Sequence, residues 1–330
     1  MGPLPTPSRR ALRSLAHYGL TLAAVVVLVF ALPRAMPGDP LSFLRADNTE
    51  AVDPAVLDDL QAYYGLDRPL VGQLGHFLAR LGHGDMGVSI GRRVPVSELL
   101  RAHLPWTLLL IGSSLALSCV VSYLLGTAAG WRRGRALDRV VVVASSAVRA
   151  VPTYALAFLL LLGGAVTWRL LPLGGARTPF AHYASPVAEI ADLARHLVLP
   201  VTALASALVA SQVLLVRNTM VSTLGQDYMV LARAKGLPRR LLQHRHAGRN
   251  ALLPFVTSVG LQAGFLVGGA VFVEAVFSYP GMGTLVLQAV AARDYPVLEA
   301  TFLVLALVVL TLNLLVDLLY GRLDPRARTR

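Results

Sequence analysis

Three places in the sequence hold side chains whose types and spacing could do chemistry. Gly112-Ser113-Ser114 sets two hydroxyl nucleophiles in an apolar run. His244 and His246 set two imidazoles one residue apart. Lys235, the only lysine among 330 residues, precedes Gly236 in an arginine-rich segment. Each lacks what its chemistry needs. A serine nucleophile needs a base, and no histidine lies within the later central apolar runs, so the serines read as small-residue helix packing. Residues at i and i+2 of a helix point to different faces, so the two histidines do not share a metal. The single Cys119 excludes an internal disulfide and a cysteine-built metal site. A phosphate-cradling P-loop ends Gly-Lys-Ser or Gly-Lys-Thr, whereas Lys235 is followed by glycine. No His-Glu-x-x-His is present. The residues therefore offer no catalytic group, no metal site and no cofactor site.

What remains is basic charge in an apolar chain. Apolar residues make up 55% and charged residues 15%, with a mean hydropathy of +0.61. A soluble domain carries about 25% charge. The net charge of +12 and pI near 10.6 would suit nucleic acid. The arginines cluster at the ends of apolar runs, however, which argues for a membrane and against nucleic acid. A spanning helix needs about 20 mostly apolar residues. Leu15–Leu32, Leu104–Trp131, Leu197–Val216, Leu252–Val273 and Ala300–Leu315 meet or approach this. Val140–Trp168 is long enough but contains Arg149 and Pro152. The expectation is an all-α integral membrane protein with six transmembrane helices. Arg9, Arg10 and Arg13 ahead of the first run would fit a signal peptide, but Pro33-Arg34-Ala35 is a poor cleavage site, so a retained helix is expected.

Orientation follows from the loops. With the N-terminus inside, the clusters Arg9–Arg13, Arg132–Arg139, Arg217–Arg249 and Arg322–Arg330 are all cytoplasmic. On the other side the long loop Ala35–His103 holds nine acidic residues against six arginines. The positive-inside rule then places both termini in the cytoplasm. Within that loop Asp53 and Pro54 are an N-cap and a first-turn proline. Val56, Leu57, Leu60, Tyr63 and Tyr64 recur at helical spacing until Gly65 and Pro69. A small extracytoplasmic subdomain between helices one and two is expected. The chain divides into residues 1–97 (first helix and insert), 98–320 (core transmembrane domain) and 321–330 (cytoplasmic tail).

Leu231–Pro254 carries five arginines, the lysine and both histidines. Leu231, Ala234 and Leu237 offer a small apolar face on a helix too short to stand alone. Gly236 either lets backbones approach closely or turns the chain. Pro238 favours a break just after that face. Arg239 and Arg240 stand ready for acidic groups on a partner or for lipid phosphates. Further on, Tyr279-Pro280-Gly281-Met282-Gly283 is a turn cluster, followed by an amphipathic Thr284–Ala292 too short to span. Glu274, Arg293 and Asp294 flank it. The region is either a lip over a pathway or a structural hairpin closing the bundle. Arg149 lies about 15 Å into a helix that starts near Arg139, where it either lines a path or snorkels.

Six segments, in order, resemble the transmembrane subunits of ATP-binding-cassette importers for dipeptides, oligopeptides and nickel, the "B" permease type in particular. They are LPRAMPGDPL at Leu32–Leu41, YYGLDRPL at Tyr63–Leu70, HGDMGVS at His83–Ser89, ARAKGLPRRLLQHRHAGRNALLP at Ala232–Pro254, VEAVFSYPGMGTLVLQAVAARDYPVL at Val273–Leu298 and DLLYGRLDPR at Asp317–Arg326. The resemblance implies a type I importer permease fold and a coupling helix that docks on a separate ATPase subunit. Ala232 and Gly236 match the second alanine and the glycine of the family's Glu-Ala-Ala…Gly pattern. Val230 and Leu231 stand where that pattern has Glu and Ala, a departure that peptide-type permeases share. The coupling loop is thus assigned to Ala232, Arg233, Ala234, Lys235, Gly236 and Leu237. Arg149, Glu274, Tyr279, Pro280, Gly281, Gly283, Arg293 and Asp294 become candidates for the pathway or its mouth. The implied partners are a second similar permease, ATPase subunits that hydrolyse the ATP, an extracytoplasmic substrate-binding protein and membrane lipid. Peptide is the first substrate implied; nickel or another small solute is the alternative. A self-sufficient secondary transporter is the rival, but the chain shows no convincing repeat and only Arg149 lies clearly mid-span.

Overall fold

A computed structural model describes residues 7–35 and 68–323, with side chains described at 18–35, 68–262 and 264–315. The helix expected over Val56–Tyr64 lies outside the described residues, as does the tail beyond 323. Everything regular that is described is helical; the one β feature among the described residues is an isolated bridge between Val88 and Pro95. The chain forms two compact units, Met1–Leu104 with Thr284–Leu310, and Pro105–Gly283 with Thr311–Arg330.

The first unit is built on α1 (Pro7–Arg34), α2 (Leu70–Gly82), the start of α3 (Val96–Trp131), most of α9 (Met282–Ala292) and the first half of α10 (Tyr295–Leu323). Its core joins Val26 and Val29 of α1 to Leu303 of α10, with Leu22, Val25, Phe77, Leu81 and Phe302 packed around them. Phe77 and Leu81 stand one turn apart on α2, so that helix seals the cluster with one face. α2 lies inside the long loop Ala35–His103, beyond the helix expected there. Its apolar residues, Leu70, Leu74, Phe77, Leu78 and Leu81, do follow a helical period.

The second unit contains the rest of α3, α4 (Ala136–Ala150), α5 (Thr153–Leu160) running into a π-helical turn at Leu161–Thr167, and α6 (Pro186–Leu224). It continues with α7 (Asp227–Ala234), a π-helical segment at Leu241–Gly248, and α8 (Arg249–Val276). α6 is its axis. Ser185 caps it by accepting the Ala188 N–H at 3.3 Å, and Pro186 occupies the first turn. At 39 residues it is about 60 Å long, twice the hydrocarbon thickness, so it projects well past the Leu197–Val216 run. The helix expected from about Arg139 begins at Ala136 and stops at Ala150. Pro152, lacking an N–H, breaks it, and the chain bends by 106° into Thr153–Thr167.

Among the described residues three helices are long and apolar enough to cross a membrane: Val96–Trp131, Pro186–Leu224 and Tyr295–Leu315. The bent pairs Ala136–Ala150 with Thr153–Thr167, and Leu241–Gln262 with Gly264–Val276, bring the number to five if each is one span. Tyr18–Arg34 is a shorter apolar helix.

Candidate functional site

α7 is eight residues long, yet it is firmly seated. Met229 and Ala232, one turn apart, are buried in a cluster with Val216 and Met220 of α6, Leu242 and Ala247 of the π-helical segment, and Ala251, Phe255 and Val259 of α8. Tyr123 and Trp131 of α3 pack on its edge. The amide of Asn250 donates to the Tyr228 hydroxyl. On the other side Tyr228, Val230 and Leu231 are exposed at 42%, 58% and 56%, so a short apolar stripe faces away from the chain. Ala232 therefore points inward, and Leu237 packs partly against the same core. The outward face is made by Tyr228, Leu231 and Ala234, with Arg233 and Lys235 exposed beside it.

The C-terminus of α7 explains Gly236. Its N–H donates to the Arg233 carbonyl at 2.9 Å and the next N–H, of Leu237, to the Ala232 carbonyl at 3.4 Å. This is the paired-bond helix stop that needs a left-handed residue, and Gly236 has φ +74°. A Cβ there would meet nothing within 4 Å in the described chain, so what calls for glycine within this chain is the left-handed turn. Beyond Pro238 a new helix starts, with Arg239 and Arg240 exposed and His244 exposed in the π-helical segment.

The turn Tyr279–Gly283 is wrapped around one carboxylate. Glu274, fully buried near the end of α8, accepts the Thr107 hydroxyl at 2.6 Å and the Gly283 N–H at 2.6 Å. Thr107 in turn accepts the Met282 N–H at 2.7 Å. A Cβ at Gly281 would run into the carboxyl group, and one at Gly283 would meet its Oε2 at 2.8 Å. Tyr279 is buried, with Trp106 edge-on at 6.0 Å. Glu274 is thus an internal post, and the glycines of the turn are there to let the backbone close on it. Pro280 fixes φ within the turn.

Asp294 performs a similar task in the other unit. It is 3% exposed and precedes α10, where it accepts the Val297 N–H at 3.4 Å. It also accepts the Ser89 hydroxyl and, at 3.1 Å, the Gly91 N–H. Two of the resembling segments, 205 residues apart, meet here. Arg293 before it sits at φ +53° and ends α9. Arg149 is exposed on the last turn of α4, at the edge of the 106° break.

Four pairings escape sequence reasoning. Arg34, to which the sequence gives no partner, pairs with Glu299, donates to Gln73 at 2.8 Å and lies 3.6 Å above the Phe30 ring. Arg217, one of the topology charges, grips Asp138 with two nitrogens at 2.9 and 2.8 Å, joining α6 to α4. Arg177 pairs with Glu189. Asp192 accepts from Thr178 at 2.8 and 2.7 Å and from Tyr183 at 2.6 Å, pinning the loop before α6. Its hydrogen bond to Tyr183, with burial, raises that phenol's pKa. A lone acid in an apolar helix, such as Asp138 or Glu299, was the available signal, because such a group needs a partner.

The model of the family described as binding-protein-dependent transport system inner membrane component matches residues 122–329. The dipeptide transport system permease protein DppB of Escherichia coli K12 is 33% identical over 324 residues, covering 93% of this chain and 95% of the relative. The glutathione transport system permease protein GsiC of Pectobacterium atrosepticum is 37% identical over 309 residues, and that of Salmonella choleraesuis 35% over 308, each with the same coverage. A match over this much of the chain, on a helical chain with several apolar spans, leads to one conclusion: the chain belongs to the family of binding-protein-dependent transport system inner membrane components.

Proposed function

We propose that the chain is one of two permease subunits that together form the pathway of an ATP-driven peptide importer, and that α7 is its coupling helix. A type I importer permease fold would have six spans, the first at Leu15–Leu32. Both termini would be cytoplasmic, with the extracytoplasmic insert within 1–97, the core at 98–320 and the tail at 321–330. ATP would bind and be hydrolysed on separate subunits, and substrate would arrive on an extracytoplasmic binding protein. Peptide as the cargo is supported by relatives named for dipeptide and glutathione transport. The loop Ala232–Leu237 would transmit the movement, and the bundle would alternate between outward-open and inward-open forms. The turn Tyr279–Gly283, held by Glu274, and the Arg293–Asp294 cap would shape the outer mouth as braces. Arg149, exposed at a break, would face the pathway.

One observation carries this reading: α7 is locked by Met229 and Ala232 to the ends of α6 and α8 while Tyr228 and Leu231 stay exposed. A push on that face would move both long helices at once. Burying a leucine or tyrosine side chain on a partner contributes roughly 1.5–3 kcal/mol. Tyr228→Ala with Leu231→Ala should therefore reduce co-purification of the ATPase subunits by about tenfold or more, while membrane insertion stays normal. Full recovery of the ATPase with the double variant would move the docking site elsewhere.

A further inference from the structure

The turn from Trp131 to Arg135 and the segment from Arg233 to Gln243 enclose a cleft of ≈ 790 Å³ in the second unit. Five arginines line it, Arg132, Arg133, Arg135, Arg233 and Arg239, and among the described residues no acidic one does. Asp138 lies within the electrostatic reach of Arg133, but both its oxygens are taken by Arg217 and by the Gly134 N–H at 2.9 Å. Five like charges in one concavity repel each other unless an anion joins them. Guanidinium forks match phosphate oxygens in pairs.

The remaining lining is largely apolar and includes Trp131, Leu224, Leu237 and Leu242. A free phosphate would use only the arginines. A phosphate carrying acyl chains would use both surfaces. The cleft also opens where the apolar helix Val96–Trp131 ends, on a tryptophan, the residue type that favours the headgroup layer. We infer that this cleft binds a phosphate group, and that its occupant is the headgroup of an anionic phospholipid. Because Arg233 belongs to α7, the headgroup ties the docking helix to the α3–α4 turn. The inference stands on the cleft alone and does not depend on α7 coupling to an ATPase.

The test is native mass spectrometry of the full chain, in micelles with equal amounts of phosphatidylglycerol and phosphatidylcholine. The wild type retains phosphatidylglycerol in preference. Arg132→Gln with Arg133→Gln and Arg135→Gln lowers that retention by about tenfold or more, since each surface arginine near anionic lipid contributes appreciably. The corresponding triple lysine variant keeps the charge, keeps the preference and reports a folded chain. Millimolar inorganic phosphate leaves the lipid bound, because it cannot replace contact with the apolar part of the lining. Equal retention of the two lipids, or unchanged retention in the glutamine variant, overturns the site. Complete displacement by inorganic phosphate overturns the lipid as occupant, and complete displacement by added ATPase subunits assigns the cleft to an acidic protein surface instead.

Discussion

At the scale of single residues, the glycines separate by what surrounds them. Gly281 lies against the Glu274 carboxyl, whereas Gly268, inside α8, has nothing within 4 Å of the place a methyl group would take. Alanine should act with opposite signs at the two sites. Gly281→Ala should lower thermal stability of the purified chain, since forcing a methyl into a packed contact costs roughly 1–3 kcal/mol. Gly268→Ala should leave stability unchanged or raise it by up to about 1 kcal/mol, through reduced chain entropy in a helix. A thermal shift assay in detergent decides, and equal effects at both positions would refute the post-and-turn account of Glu274. The turn itself was legible in Tyr279–Gly283, because Pro and Gly punctuate a chain wherever they fall. The carboxylate inside the turn was not, because nothing in the spacing of Glu274 and Thr107, 167 residues apart, brings them together. Gly236 was half legible: its two possible uses were clear, and only the φ of +74° chooses the turn.

At the scale of elements, long apolar runs announced themselves and their ends did not. α6 exceeds its apolar run at both ends because Ser185 and Pro186 start it in polar sequence and because packing by residues such as Met220 carries it on. α2 is masked in the sequence by its place in a loop of nine acidic residues and six arginines. Of the apolar face expected at Leu231, Ala234 and Leu237, the first two are exposed and Leu237 packs partly on the core, while Ala232, which matches the family pattern, turns inward with Met229. The two exposed elements α2 and α7 give the orientation a direct test. Val71 is 83% exposed on α2, and Arg239 is exposed just after α7. In a Cys119→Ser background, Val71→Cys should react with an impermeant thiol reagent applied to the outside of intact cells, and Arg239→Cys should react only after lysis. The reverse pattern would invert the topology and remove α7 from the cytoplasm.

At the scale of the whole molecule, the division of labour is the point at issue. The chain carries no P-loop, and its one lysine lies on the flank of α7 rather than in a phosphate cradle. Purified alone, it should show no ATP turnover above the background of an empty preparation, and turnover should appear when the ATPase subunits are added. Sustained hydrolysis by the chain alone would refute the arrangement.

The bond from Ser89 to Asp294 also sets a clock on how the protein is made. Its partners are 205 residues apart in a chain that leaves the ribosome N-terminus first, so at roughly 5–20 residues per second the serine waits about ten to forty seconds for its aspartate. Arg34 waits longer for Glu299, 265 residues on. The earliest-made part of the first unit is therefore finished by one of the last helices to emerge. Until then Arg34 has Gln73 and the Phe30 carbonyl, and Ser89 the Arg92 N–H, without the acids that complete both sites. A ribosome that stops short of residue 294 leaves a chain whose second unit is nearly all synthesised and whose first unit lacks both of its clasps, which is a form that quality-control proteases could tell from the finished protein.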